Sequence, residues 1–420
     1  MTEPSSSPSP GPRRAALVFI FVTILLDILA MGMIIPVLPK MVEGFLGGDT
    51  ARAAELLGLF STMWALMQFI FSPVLGAMSD RFGRRPVVLL SNFGLGFDYI
   101  LMAMAPSLGW LFAGRIISGI TAASISTASA YIADVTPPEK RAASFGLLGA
   151  AFGIGFVLGP AVGGMLGVIS PRLPFWVAAG LSLANALYGL FVLPESLPPE
   201  RRKPFQWRRA NPVGALAMLR SKPEVLGLAS VHFLYNLAHV ALPSVFVLYA
   251  SYRFGWDERA VGLTMAGTGI TSLIVQGGLV RPIVKRFGER RTLLMGLAFG
   301  ALGFTLYGLA DTGAVFWLGI LVMSLWGLFG PASQGLMSSR ISQSEQGQLQ
   351  GALSSLMGIA GMIGPSLFTQ TFAHFISPQS GAHLPGAPFL LAACLLLAAI
   401  ALAWRVTSSR SEATPASSTT

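Results

Sequence analysis

Twelve long, nearly charge-free stretches recur along the chain, at about 15–38, 56–78, 87–105, 110–132, 142–168, 173–193, 225–250, 260–280, 292–310, 314–337, 350–376 and 386–404. About 20 apolar residues are enough to cross roughly 30 Å of hydrocarbon. Backbone amides in lipid have to be satisfied within their own segment, so each stretch is expected to be a helix. The chain therefore reads as an all-α polytopic membrane protein with twelve transmembrane helices. Its composition, 53% apolar and 11% charged, excludes an ordinary soluble enzyme.

The formal net charge of +10 raises the question of nucleic acid, and the placement of the charge answers it. With both termini cytoplasmic, 22 of the 28 Lys and Arg fall in the tails and even-numbered loops, five fall outside and one lies within a span. This is the positive-inside pattern of an inner-membrane protein, and no nucleic-acid partner is expected. The single Cys394 excludes an intrachain disulfide and reads as a small core residue. Residues 1–14 read as a disordered cytoplasmic tail, because Met1 to Pro12 is rich in Ser and Pro and lacks the basic start and cleavage site of a signal peptide.

After the sixth stretch comes the longest polar segment, 194–224, rich in Pro, Arg and Lys. It reads as a cytoplasmic linker between a bundle at 15–193 and another at 225–405, with a second tail at 406–420. A shift of 205 residues lays Arg81-Phe82-Gly83 on Arg286-Phe287-Gly288 and Gly159-Pro160 on Gly364-Pro365. Two matches in one register argue for duplication, giving two pseudo-symmetric six-helix halves. Transporters use such halves to build a central site.

The loop after the second stretch contains Gly76, Asp80, Arg81, Gly83, Arg84, Arg85 and Pro86. Gly76 would allow close helix approach and Gly83 a tight turn. Asp80 sits where a helix terminus and several Arg side chains compete for its carboxylate, which suits a gating latch. The bland alternative is a solvated basic turn. In the second copy Lys285 replaces the acid, so a carboxylate latch is expected in the first half only. The fifth stretch carries Gly155, Gly159, Pro160, Gly163 and Gly164, spaced for backbone-to-backbone packing with a bend.

Asp27, Asp98 and Arg115 fall inside spans, where a charge costs at least about 2.5–3.5 kcal/mol. Desolvation favours a carboxyl's neutral form and a nearby guanidinium its charged form, so such a group suits proton exchange. Asp27 is the principal protonatable candidate, with Arg115 as its tuning partner; Asp98 could equally be a satisfied buried acid. Gln68, Asn92, His232, Asn236, His239, Gln276 and Gln334 are candidates to line a substrate cavity. Phe233, Tyr235, Trp326 and Phe329 read as core or interface rather than ligand contacts. No metal cluster, phosphate loop, cofactor motif or nucleophile arrangement is readable.

The loop string Gly76 to Pro86 resembles the loop signature of the major facilitator superfamily, and the fifth-stretch glycines resemble its antiporter motif. Leu25-Leu26-Asp27, Gly32 to Pro39, Ala65 to Gln68, Ser79 to Val87 and Gly114-Arg115 through Thr121 are more narrowly similar to the proton-coupled tetracycline-efflux family. So are Arg253 to Trp256 and Gln346 to Gly351. The resemblance implies a major facilitator fold, export, and proton-coupling roles for Asp27, Asp98, Asp80 and Arg115. One departure stands out: the family's acid in the ninth span, in a Gly-x-x-Ala-Asp context, is Gly300 here, and Asp311 reads as a solvated loop charge.

These readings give a secondary transporter, not an enzyme, expected to be monomeric, with small molecule, protons and lipid as partners. The leading function is proton-driven efflux of a hydrophobic or cationic drug-like molecule, tetracycline being one candidate. The alternatives are a metabolite uptake carrier and a non-transporting receptor or scaffold of the same fold.

Overall fold

The computed structural model describes residues 11–122, 124–137, 140–205, 216, 219, 223–342 and 345–408. The start of the expected N-terminal tail, most of the linker beyond residue 205 and the tail after residue 408 lie outside the described residues. Helices follow one another as α1 (Gly11–Ile34), α2 (Leu38–Phe45), α3 (Thr50–Phe82), α4 (Arg84–Ala103), α5 (Leu108–Thr121), α6 (Ser124–Val135), α7 (Arg141–Ile169) and α8 (Leu173–Val192). After the linker come α9 (Pro223–Phe254), α10 (Glu258–Ile274), α11 (Val280–Leu309), α12 (Gly313–Ser324), α13 (Phe329–Ser338), α14 (Gln346–Ile376) and α15 (Ala387–Ser408). No strand occurs among the described residues.

Ten helical stretches are long and apolar enough to cross a membrane. One of them, Glu258–Leu309, takes in two expected spans and is broken at Gly288, whose backbone is not helical. The expected fourth span is met by α5 and α6 on either side of residue 123. Large apolar side chains stand bare on the outer surface, Phe191 at 83% exposure and Ile169 at 74%, as suits lipid contact rather than water. Cys394 is exposed too, on the outer side of α15, and is not the core residue its apolar context suggested.

The duplication reappears as geometry. Gly83 ends α3 at φ 107°, ψ 163°, and Gly288, which the 205-residue shift pairs with it, has φ 76°, ψ 165°. Both turns need positive φ, which explains a glycine at each. α1 packs on α7 in the first half, as α9 packs on α14 in the second. The halves meet where α7 touches α10 and α3 touches α14.

The meeting is one-sided along the long axis. At the end bearing Lys40, a single apolar core unites Met33, Val37 and Phe60 of the first half with Phe246, Tyr249, Phe368 and Phe372 of the second. Lys40 also donates to the Ser251 hydroxyl across the seam, and Thr62 bonds to Ser366 Oγ and Met362 O, both at 2.9 Å. Towards the Asp80 end the cores separate: Phe19, Val88, Ile132 and Leu148 form one within the first half, and Val225, Met337, Leu349 and Leu353 another within the second.

Candidate functional site

Asp27 and Asp98 are 4% and 1% exposed, buried in the first half. Asp27 on α1 faces α8, where Asn185 Nδ2 donates to Asp27 Oδ1 at 3.2 Å and to Thr23 O at 3.1 Å. Asn185 is itself fully buried. Asp98 on α4 faces α5. Gly114 makes the close approach possible, since a Cβ there would stand 2.9 Å from Asp98 Oδ1 and 2.6 Å from Met102 Cγ. Neither Asp98 oxygen meets a donor at good hydrogen-bond geometry, although the Ser118 hydroxyl lies alongside.

Arg115 is the electrostatic partner of Asp98. Asp27, expected as the partner of Arg115, bonds to Asn185 of α8, while Arg115 lies towards α4 and α3. The guanidinium also lies over the Trp64 ring, 5.3 Å from its centroid, a cation–π contact between α5 and α3. Tyr99, next to Asp98 and 4% exposed, stands in the field of both acids. Sequence reasoning missed Asn185, Tyr99 and Trp64; an Asn inside an apolar stretch was the one available signal.

The loop between α3 and α4 is tied down differently from expectation. Arg84 binds Asp80 at 2.7 Å, but it also binds Asp134 at the end of α6 at 3.0 Å and Ser79 Oγ at 3.0 Å. The amides that open α4 are capped not by Asp80 but by Glu195, which accepts from Arg84 N at 2.8 Å and Arg85 N at 3.3 Å. Arg85 reaches Leu190 O at 2.5 Å, and Arg81 lies over its neighbour Phe82. The loop thus joins the ends of α6 and α8 within one half. Gly76 has open space where a Cβ would be, so no close contact in this arrangement requires it. Among the described residues the second-half copy of the loop carries no salt bridge.

The fifth-span glycines work on two faces of α7. A Cβ on Gly155 would stand 2.8 Å from Ile28 Cγ2, one on Gly159 2.8 Å from Gly32 Cα, and one on Gly163 2.1 Å from Met33 O, all on α1. The other face meets the second half: a Cβ on Gly164 would be 2.3 Å from Glu258 O, and one on Gly262 2.3 Å from Pro160 O.

Of the proposed cavity residues, Asn92 is 1% exposed in the packed first half, while Gln68 is half-buried on α3. His232, Asn236 and His239 share one face of α9, and Gln276 and Gln334 are exposed on the π-turn after α10 and on α13. Trp326 and Phe329 are buried, as read from the sequence. The position of Gly300 is covered by Trp326, whose Cδ1 would be 2.6 Å from a Cβ there. Asp311 is exposed, as a solvated loop charge should be.

Two helical halves joined by a seam, with ionisable groups buried at span depth, define a multi-pass membrane transporter of small molecules rather than an enzyme. The Major Facilitator Superfamily profile matches residues 20–365 and 281–420. The class C tetracycline resistance protein of Escherichia coli is 40% identical over 377 residues, covering 90% of this chain and 94% of that protein. The class B protein of the same organism is 35% identical, covering 85% and 88%. Among solved structures, the human organic anion transporter MFSD10 (TETRAN) aligns with a TM-score of 0.68 at 25% identity, covering 93% of this chain and 99% of that one. An inward-facing bacterial homolog of the human lysosomal transporter Spinster aligns at 0.78 and 16% identity, covering 97% and 100%, a likeness of fold. The chain belongs to the Major Facilitator Superfamily.

Proposed function

We propose that this protein is a proton-driven exporter, an antiporter in the bacterial inner membrane that moves a hydrophobic or cationic drug-like molecule by alternating access. Tetracycline is the first compound to test, because the most similar relatives reported above are named for resistance to it. The observation that carries the reading is Asp98, buried in a span beside Arg115 with neither oxygen bonded at good geometry. An ionised carboxyl inside a span costs about 2.5–3.5 kcal/mol or more, and at Asp98 no hydrogen bond of good geometry offsets it. A proton that comes and goes as access alternates gives it a reason to be there.

The roles follow from placement. Asp98 takes the proton and Arg115 compensates its charge when the proton leaves. Asp27, held by Asn185, is the second protonatable group. The one-sided seam is the inward-facing state, closed at the external Lys40 end, with both termini cytoplasmic, residues 15–193 and 225–405 as the moving halves and a single chain as the working unit. The Arg84 cluster holds the first half together on the cytoplasmic side as it rocks.

Tetracycline uptake into everted vesicles decides the matter. Wild-type vesicles accumulate drug when energised and stop on addition of a protonophore, and Asp98→Asn abolishes drug-dependent proton movement. Energised uptake that persists unchanged in Asp98→Asn removes the proton-site assignment. Uptake that ignores the protonophore removes antiport, and accumulation in right-side-out vesicles instead would favour an uptake carrier.

A further inference from the structure

We propose that the second half holds an anionic phospholipid at its cytoplasmic end, its headgroup phosphate taken by Arg290 and the neighbouring arginines where α11 packs on α15. The proposal goes beyond transport and borrows from the reading above only that the Asp80 end faces the cytoplasm.

The two copies of the α3–α4 loop differ in how their arginines are neutralised. In the first half Arg84 binds Asp80 and Asp134. The 205-residue shift carries those two acids onto Lys285 and Ser339, so the second copy has gained a cation and lost both carboxylates. Lys285, Arg286, Arg290 and Arg291 crowd the turn at Gly288, and Arg405 follows Trp404, the residue on which Arg290 lies. None of the five makes a salt bridge among the described residues. Glu289, the one acid within 285–291, is engaged elsewhere, since its carboxylate lies against Gly335 of α13. Like charges gathered without a counter-charge repel one another, and an anion from outside the chain relieves them.

The surroundings identify what carries that anion. The Arg290 guanidinium lies over the Trp404 ring, 5.4 Å from its centroid, and Arg286 lies over Phe287 at 5.6 Å. Both rings are exposed, Trp404 at 59%. At the end of a span such rings sit at headgroup level, between acyl chain and water. Thr407 Oγ1 accepts from Arg290 Nε at 2.9 Å, which fixes the side chain and leaves its two terminal nitrogens without a protein partner among the described residues. Guanidinium nitrogens bond phosphate oxygens in pairs. A soluble anion would meet the charges alone, whereas a phospholipid also covers the two rings. The lipid phosphate then does in the second half what Asp80 and Asp134 do in the first.

The test is native mass spectrometry of the purified full-length protein with phosphatidylglycerol added in steps. Phosphatidylcholine is the zwitterionic comparison and glycerol 3-phosphate the soluble phosphate. The expectation is one phosphatidylglycerol held in preference to phosphatidylcholine and not displaced by glycerol 3-phosphate at equal concentration. Arg290→Gln, Arg291→Gln and Arg405→Gln each weaken it about fivefold, the factor that roughly 1 kcal/mol per arginine gives. Arg291 and Arg405 are exposed and bond nothing through their side chains among the described residues, so their variants separate lost lipid from lost folding. Arg259→Gln, which removes an exposed cation at the Lys40 end, leaves the affinity unchanged. Equal retention of the two lipids, displacement by glycerol 3-phosphate, or an Arg259→Gln effect as large as that of Arg405→Gln overturns the site. So does binding that Arg291→Gln and Arg405→Gln leave intact in protein of wild-type melting temperature. The export reading stands or falls separately, on vesicle uptake.

Discussion

Asn185 Nδ2 stands 3.2 Å from Asp27 Oδ1, so that the acid of α1 is held by a buried amide of α8. The same nitrogen bonds Thr23 O one turn earlier, which makes Asn185 a clamp on the α1 backbone as well as a partner to the carboxyl. Replacing it with Leu strips a donor from a buried acceptor, a change that costs about 1–3 kcal/mol. Asn185→Leu is therefore expected to melt several degrees below wild type in detergent, while Asp27→Asn, which keeps a hydrogen-bonding side chain, melts near it. Equal melting of Asn185→Leu and wild type would show that the bond carries no weight.

The loop signature draws the eye to Asp80, yet the geometry ranks its neighbours higher. The Asp80 side chain is 44% exposed in its pair with Arg84, whereas the Arg84 side chain is 12% exposed and serves Asp80, Asp134 and Ser79 together. An exposed ion pair is worth about 0–1 kcal/mol. Arg84→Ala and Asp134→Asn are thus expected to lower stability more than Asp80→Asn, as read by thermal unfolding of the three variants side by side. The reverse order would refute the ranking.

Glycines in α7 divide into those with no room and those with room to spare. Gly163→Ala and Gly164→Ala place a methyl 2.1 Å from Met33 O and 2.3 Å from Glu258 O, both backbone atoms, and are expected to cost about 1–3 kcal/mol. Gly149→Ala meets nothing within 4 Å and is expected to be neutral or stabilising by about 0.5–1 kcal/mol through helix propensity. Melting curves of the three settle this. Gly164→Ala has a second expected effect, since it wedges α7 from α10: a cysteine placed at Thr62, in a Cys394→Ser background, becomes more reactive to an impermeant maleimide added from outside.

Restoring an acid at residue 300 is not expected to restore what the tetracycline-efflux resemblance associates with that position. A Cβ there would lie 2.6 Å from Trp326 Cδ1 and 2.9 Å from Leu396 Cδ1, so Gly300→Asp has to displace the indole. A loss of about 1–3 kcal/mol is expected, with part of it recovered in the double variant Gly300→Asp, Trp326→Ala. Strict additivity of the two substitutions would argue that they do not share the space.

Membrane spans were legible because hydrocarbon thickness and backbone hydrogen bonding leave so few solutions, and the duplication was legible because Gly83 and Gly288 need the same left-handed turn. Buried acids were legible from their cost. Their partners were not. Asn185 lies 158 residues from Asp27, and no spacing rule reports which face of a span meets another. Glu195 and Asp134 were hidden in a different way, as ordinary acids at helix ends whose importance appears only when three helices converge on one loop. Trp326 and Phe329 were read as core and are buried, while His239, read as a cavity candidate, is exposed beside Trp326.

Helix α7 has no slack on either flank, with α1 pressed against Gly155, Gly159 and Gly163 and α10 against Pro160 and Gly164. Ile28, the residue that fills the notch at Gly155, is the immediate neighbour of Asp27. Further along, Gly32 and Met33 meet Gly159 and Gly163 backbone to backbone, so a displacement of α1 there cannot be absorbed by side-chain rotation. The rod is then pushed bodily, and a shift of α1 is handed through α7 to α10 in the other half.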